Sequence, residues 1–146
     1  MPFQLREKKS IAICILNSGG IRSILPKGNV TARTAFEIMP FENSLVVLEL
    51  TSEKIEELVH YLISEEKAHP LSKQFNLVIT KSGYKLKINN KPLDKNKTYF
   101  VLSSDYLQTG GDNMNFFKNS ISSHNLDYKI RNTIIDYFKE NDTIKV

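Results

Sequence analysis

Ile11-Ala12-Ile13-Cys14-Ile15-Leu16-Asn17-Ser18-Gly19-Gly20-Ile21-Arg22 is the stretch that decides the fold. Its first six residues are apolar almost without interruption and rich in β-branched side chains, the pattern of a strand covered on both faces. The glycine pair then ends the strand in a loop whose backbone can approach a ligand closely. Arg22 follows with a planar five-donor fork suited to phosphate or carboxylate. An anion site fits this spacing, and so does a tight strand exit with a surface arginine; four residues alone do not choose between them. Cys14, inside the run, reads as a small buried hydrophobe rather than a nucleophile.

Working outward, Thr31 to Met39 can start as a helix before Pro40-Phe41-Glu42-Asn43 interrupts it, and Ser44 to Leu50 reads as a second buried strand. Thr51 or Ser52 can cap the next helix, along which Ile55, Leu58, Val59, Leu62 and Ile63 follow the apolar stripe of one face. That helix must stop before His69-Pro70, because proline disfavours helical geometry at the residue preceding it. Alternation from Phe75 to Ile79 and from Tyr84 to Ile88, joined at Lys81-Ser82-Gly83, predicts a half-exposed β-hairpin. A turn at Asn89-Asn90, a strand from Thr98 to Ser103 and an amphipathic helix carrying Ile130, Ile134, Ile135 and Phe138 complete the chain. The mixed order predicts an α+β fold, a mixed β-sheet with packed helices.

A second stretch, Ser104-Asp105-Tyr106-Leu107-Gln108-Thr109-Gly110-Gly111-Asp112, again joins a glycine pair to aromatic and charged groups. An aromatic face and a fixed acceptor can grip a base and a sugar hydroxyl, so Tyr106 and Asp112 are candidates. Asp105 and Asp112 also suit turns, or part of a metal loop, although the spacing is not that of an EF-hand and no phosphate-loop or dinucleotide fingerprint is present. Phe41 and Asn43 place a ring and an amide in the turn stiffened by Pro40; core packing is the commoner fate of such a ring. His60, His69 and His124 are scattered, on a helix, before a proline and in a polar loop, and belong to no HExxH motif or His/Asp cluster. There is no GxSxG elbow, and no base is identified for Ser18. No catalytic residue and no metal ligand set is predicted; the residues describe a binder.

The 146 residues suffice for one domain with a real core, expected over 11–146 after a charged segment at 1–10. Twenty Lys and Arg against sixteen Asp and Glu leave a net +4, spread along the chain. That is a mild attraction for anions and not a nucleic-acid footprint. One cysteine excludes a disulfide framework. The first ten residues lack the apolar stretch of a signal peptide, and no run approaches the ~20 apolar residues of a membrane span. On these grounds the chain is expected to be soluble, without a membrane span.

Four collinear motifs then point to one family. Asn17-Ser18-Gly19-Gly20-Ile21-Arg22, Leu25-Pro26-Lys27-Gly28, Met39-Pro40-Phe41-Glu42-Asn43 and Ser104 to Asp112 resemble, in order and spacing, the C-terminal domain of the 5'-nucleotidase family. Asn90-Lys91-Pro92-Leu93-Asp94 and Lys97-Thr98-Tyr99 match as well, so the resemblance runs from about residue 11 to 138.

The resemblance implies a nucleotide-binding domain in nucleotide catabolism, with hydrolysis performed on two divalent metals by a separate metallophosphoesterase domain or subunit. It also implies roles for individual residues. Arg22 would contact phosphate, and Asn17, Gly19 and Gly20 would form the adjoining wall. Phe41 and Tyr106 would sandwich the base, Asn43 would hydrogen-bond its edge, and Asp112 would hold the ribose hydroxyls, with Gly110 and Gly111 shaping the loop. Tyr106 stands where the family often has phenylalanine, which preserves a stacking face and adds a hydroxyl. Relatives are often periplasmic, cell-surface or secreted; the sequence does not fix a compartment here. The chain shows no metal-binding domain and little of the segment that normally precedes Asn17, so it is expected to be a fragment or a stand-alone domain, less stable than a full domain or covered there by a partner. The alternative function is a stand-alone, non-catalytic nucleotide- or nucleoside-binding protein.

Overall fold

The computed structural model describes residues 10–145, so the expected N-terminal segment lies outside the described residues except for Ser10. In chain order the elements are strand β1 (Ile11–Cys14), helix α1 (Ala32–Ile38), β2 (Ser44–Thr51), α2 (Ser52–Glu65), β3 (Phe75–Thr80), β4 (Gly83–Ile88), β5 (Lys91–Pro92), β6 (Thr98–Ser104), the one-turn helix α3 (Asp105–Gln108), β7 (Ser122–Lys129) and α4 (Ile130–Glu140). Single 3-10 turns occur at Ser18–Gly20, Gly111–Asn113 and Asn115–Phe117.

The main sheet has four strands in the order β1-β6-β2-β7, with β1 parallel to β6 and the other pairs antiparallel. A second, three-stranded sheet has the order β3-β4-β5. This is the α+β arrangement that the element order implied. β2 is buried on both faces because successive side chains point to opposite sides. Val46, Leu48 and Leu50 join one core with Ile55, Leu58 and Val59 of α2, while Leu45 and Val47 join a smaller core with Met39, Leu102 and Ile130. Each fully buried aliphatic side chain contributes roughly 1.5–3 kcal/mol gross. α2 begins where the Thr51 hydroxyl accepts the Lys54 N–H at 3.3 Å. It ends at Glu66, whose φ of 50° is left-handed, ahead of the proline at 70.

Strand direction sets where loops gather. β1 and β6 run parallel and both end at the same edge of the sheet, while β2, being antiparallel, begins there. The register confirms it: Cys14 stands opposite Leu102, and Leu45 opposite Ser104. β7 ends at the same edge, with Lys129 opposite Ser44, and delivers the start of α4 there. Four chain segments therefore meet at one end. The outer side of β1 also has partners, since the Ser72 N–H donates to the Cys14 carbonyl at 2.9 Å and the Leu16 N–H to the Pro70 carbonyl at 3.1 Å.

Two expectations need correcting. His124 is not in a loop: it lies on β7, opposite Val47. The segment Ser122–Lys129 is an exposed edge strand, so it lacks the apolar signal that marks β1 and β2. Cys14 is only partly buried by exposure, although burial of the thiol itself pushes its pKa up to about 11.

Candidate functional site

The loop after β1 folds as a 3-10 turn in which the Gly20 and Ile21 N–H groups donate to the Asn17 and Ser18 carbonyls, both at 3.1 Å. The Arg22 N–H then donates to the Ile38 carbonyl at 2.8 Å, which ties this loop to the end of α1. The Arg22 guanidinium carbon lies 5.2 Å from the centre of the Phe41 ring, within cation–π range.

The turn that carries Phe41 and Asn43 is held from α4. Arg131 is buried, and its Nη1 donates to the carbonyls of Met39, Pro40 and Phe41 at 3.3, 3.3 and 3.5 Å. Its Nη2 pairs with the Glu42 carboxylate, and its guanidinium carbon sits 3.7 Å above the Phe36 ring. The hydrogen bond and charge of Arg131 hold Glu42 below the usual carboxylate range. Asn43 is fixed separately: its Nδ2 donates to Asp105 Oδ1 at 2.7 Å, while Asp105 Oδ2 accepts the Ser44 N–H at 3.2 Å. An ionised carboxylate only accepts, so the amide must turn its NH2 toward Asp105, which directs its carbonyl oxygen away.

After β6, the Ser104 hydroxyl accepts the Leu107 N–H at 3.1 Å and starts α3, which sets Tyr106 facing Asp112. Tyr106 Oη donates to Asp112 Oδ1 at 2.9 Å, and the second carboxylate oxygen is buried with no hydrogen-bond partner. Asp112 and Asn113 have φ of 53° and 61°, and Gly110 has φ of 92°. Gly111 is needed for space: a Cβ there would stand 2.5 Å from the Tyr106 ring.

Asn17, Gly19, Gly20, Arg22, Phe41, Asn43, Tyr106 and Asp112 line one cleft of about 220 Å³, to which Leu16, Met39, Ser104 and Ile130 also contribute. That is below the ~300–1,000 Å³ of drug-sized pockets and suits one ring system with its immediate substituents. Gly110 and Gly111 do not line the cleft and act instead on the shape of its loop. Phe41 and Tyr106 are exposed, at 39% and 41%, with the Arg22 guanidinium lying over the Phe41 ring. Among the described residues no group of three or more His, Cys, Asp or Glu is placed to hold a metal ion.

Residues 3–119 match the family model described as 5'-nucleotidase, C-terminal domain. The chain belongs to this family. Protein UshA of Yersinia enterocolitica is 27% identical over 110 residues, covering 73% of this chain and 20% of that protein. The trifunctional nucleotide phosphoesterase YfkN of Bacillus subtilis is 29% identical over 138 residues, covering 84% of this chain and 9% of that one. The crystal structure of a 5'-nucleotidase precursor from Thermus thermophilus superposes with a TM-score of 0.79 at 25% identity, covering 98% of this chain and 31% of that chain. The chain thus spans less than a third of each of these relatives.

Several residues of this 5'-nucleotidase C-terminal domain escaped the sequence reading. Arg131 carries no motif and sits in the apolar stripe of a helix. Asp105 looked like a turn residue, yet it orients Asn43. Buried His69 and half-buried Tyr61 pack against the site: the Ser18 N–H donates to His69 Nδ1 at 3.0 Å and Tyr61 Oη donates to the Asp112 carbonyl at 2.7 Å. Burial lowers the His69 pKa and raises that of Tyr61.

Proposed function

We propose that this chain is the nucleotide-binding part of a 5'-nucleotidase-type hydrolase acting in nucleotide breakdown, with hydrolysis carried out by a metallophosphoesterase domain or partner. The observation that carries this reading is the cleft itself, where two exposed rings, Phe41 and Tyr106, stand with Arg22, Asn43 and an unpartnered oxygen of Asp112. The rings take the base, and the carbonyl oxygen of Asn43, turned away from Asp105, accepts from its edge. A ribose hydroxyl satisfies Asp112 Oδ2, which a buried acceptor requires. Arg22 takes the phosphate and leaves the Phe41 ring to do so.

Stacking contributes ~1–3 kcal/mol per base and a hydrogen bond to a charged group ~1.5–3 kcal/mol, against an association cost of at least ~4 kcal/mol. Millimolar to micromolar affinity for AMP follows. The described residues do not suit a divalent metal, so no hydrolytic step is assigned to them. Calorimetric titration with AMP and adenosine tests the reading. Saturable AMP binding, stronger than that of adenosine and abolished by Asp112→Ala, is the expected result; no saturable binding to the wild-type chain overturns it.

A further inference from the structure

Two side chains that do not line the cleft, buried His69 and half-buried Tyr61, link two of the loops that do. His69 lies in the segment after α2, with only 7% of its surface exposed. Its Nδ1 accepts the Ser18 N–H at 3.0 Å, so that nitrogen is unprotonated and the proton resides on Nε2. Nε2 faces Tyr61 Oη at 3.5 Å, a long and weak contact, and Tyr61 Oη gives its own proton to the Asp112 backbone carbonyl at 2.7 Å. Every donor along this path meets an acceptor, which fixes a single direction from Ser18 to Asp112. Both ends of the path are ligand loops, and both middle members are anchored in the scaffold. The Tyr61 ring packs edge-on against Phe116 at 5.7 Å and beside the His69 ring at 5.9 Å. Next to His69, the Pro70 carbonyl holds the Leu16 N–H at 3.1 Å, one residue before the loop begins.

Simple satisfaction of buried polar groups would not require the two bonds to end on two separate loops that line one cleft. We propose that His69 and Tyr61 are positioning residues that fix the separation between the Ser18–Gly20 turn and the Asp112 loop, and so set how tightly the cleft closes on a nucleotide. This rests on the nucleotide reading above. The strut needs an acceptor at Nδ1, which protonation of His69 removes. The groups bearing on that proton are Tyr61, Asp112, Glu65 and Lys67.

Tyr61→Phe removes one oxygen and keeps the ring, and His69→Asn keeps an acceptor near the position of Nδ1 but cannot reach Tyr61. Two readouts apply, AMP affinity by calorimetry and amide hydrogen exchange by NMR, at pH 7.5. Loss of the link predicts AMP binding about tenfold weaker in Tyr61→Phe, with the unfolding midpoint lowered only by the roughly 0.5 M urea expected of one hydrogen bond. His69→Asn, which also cuts the link to Tyr61, is expected to show the same loss and the same rise in exchange at Ser18–Gly20; His69→Ala removes the acceptor of the Ser18 N–H as well. Exchange is expected to rise across the cleft, at Ser18–Gly20 in Tyr61→Phe and at Gly111–Asn113 in His69→Ala. Wild-type affinity in Tyr61→Phe, or exchange that rises only at the loop each variant touches, overturns the proposal. If the wild-type chain binds no AMP, the nucleotide reading fails, and the exchange pattern still decides whether the strut exists.

Discussion

Replacing Arg131 by alanine tests how the turn that carries Phe41 and Asn43 is held. The guanidinium reaches three carbonyls, of Met39, Pro40 and Phe41, at 3.3 to 3.5 Å, through a nitrogen that carries two hydrogens. Counting two bonds from a charged donor at the lower end, ~1.5 kcal/mol each, gives ~3 kcal/mol. Stacking over Phe36 adds ~1 kcal/mol, and relief of the buried guanidinium's desolvation returns part of the sum. The net loss expected for Arg131→Ala is about 3 kcal/mol, a shift of roughly 1–2 M in the urea midpoint for a domain with m near 2 kcal/mol per M. Glu42 is 68% exposed on its side chain, so solvent screens the ion pair and Glu42→Ala is expected to stay close to wild type. Arg131→Lys keeps the charge without the fork and should recover less than half of the loss. Urea titration followed by circular dichroism reads all three. An Arg131→Ala midpoint indistinguishable from wild type, or a Glu42→Ala loss as large as that of Arg131→Ala, would refute the reasoning.

Gly111→Ala places a methyl 2.5 Å from the Tyr106 ring and should push that ring aside, costing ~1–3 kcal/mol of stability and at least tenfold in AMP affinity; wild-type affinity would show that the ring position is irrelevant. Cys14, with its thiol pushed up to about 11, should hold only about one part in a thousand as thiolate at pH 8 and react with a disulfide reagent mainly after denaturation. Full modification of the native chain within minutes contradicts this. Burial holds His69 below its ordinary 6.5, so the unfolded chain takes up the proton first as pH falls; that stabilisation is complete above 6.5 and lost as pH drops through the lower folded value. Glu42, held below 4.5 by Arg131, adds a second loss beginning near 4.5. Urea midpoints at several pH values from 7.5 to 4 should decline from about 6.5 in wild type and later in His69→Asn; superimposable curves for the two would remove His69 as the cause.

What the sequence disclosed, and what it concealed, follows from burial. β1 and β2 were legible because both of their faces are covered, which leaves runs such as Ile11 to Leu16 and Leu45 to Leu48 without polar interruption. The end of α2 was legible because proline at 70 constrains the residue before it, and the Asn89-Asn90 turn because both residues take positive φ. β7 was hidden: one edge strand with exposed Ser, His, Asn and Asp looks like a loop until β2 pairs with it. At the site, most cleft-lining residues lay in three short motifs, at 17–22, 39–43 and 104–112. Their supports did not, because Arg131, Tyr61 and His69 lie on other segments of the chain and meet the motifs only through tertiary packing.

The most direct measurement is a crystal structure of this chain grown with saturating AMP. The base is expected between the Phe41 and Tyr106 rings, with a ribose hydroxyl on Asp112 Oδ2 and the phosphate on Arg22, whose guanidinium has left the Phe41 ring. A cleft without AMP under those conditions, or a base lodged away from both rings, would contradict nucleotide binding at this site.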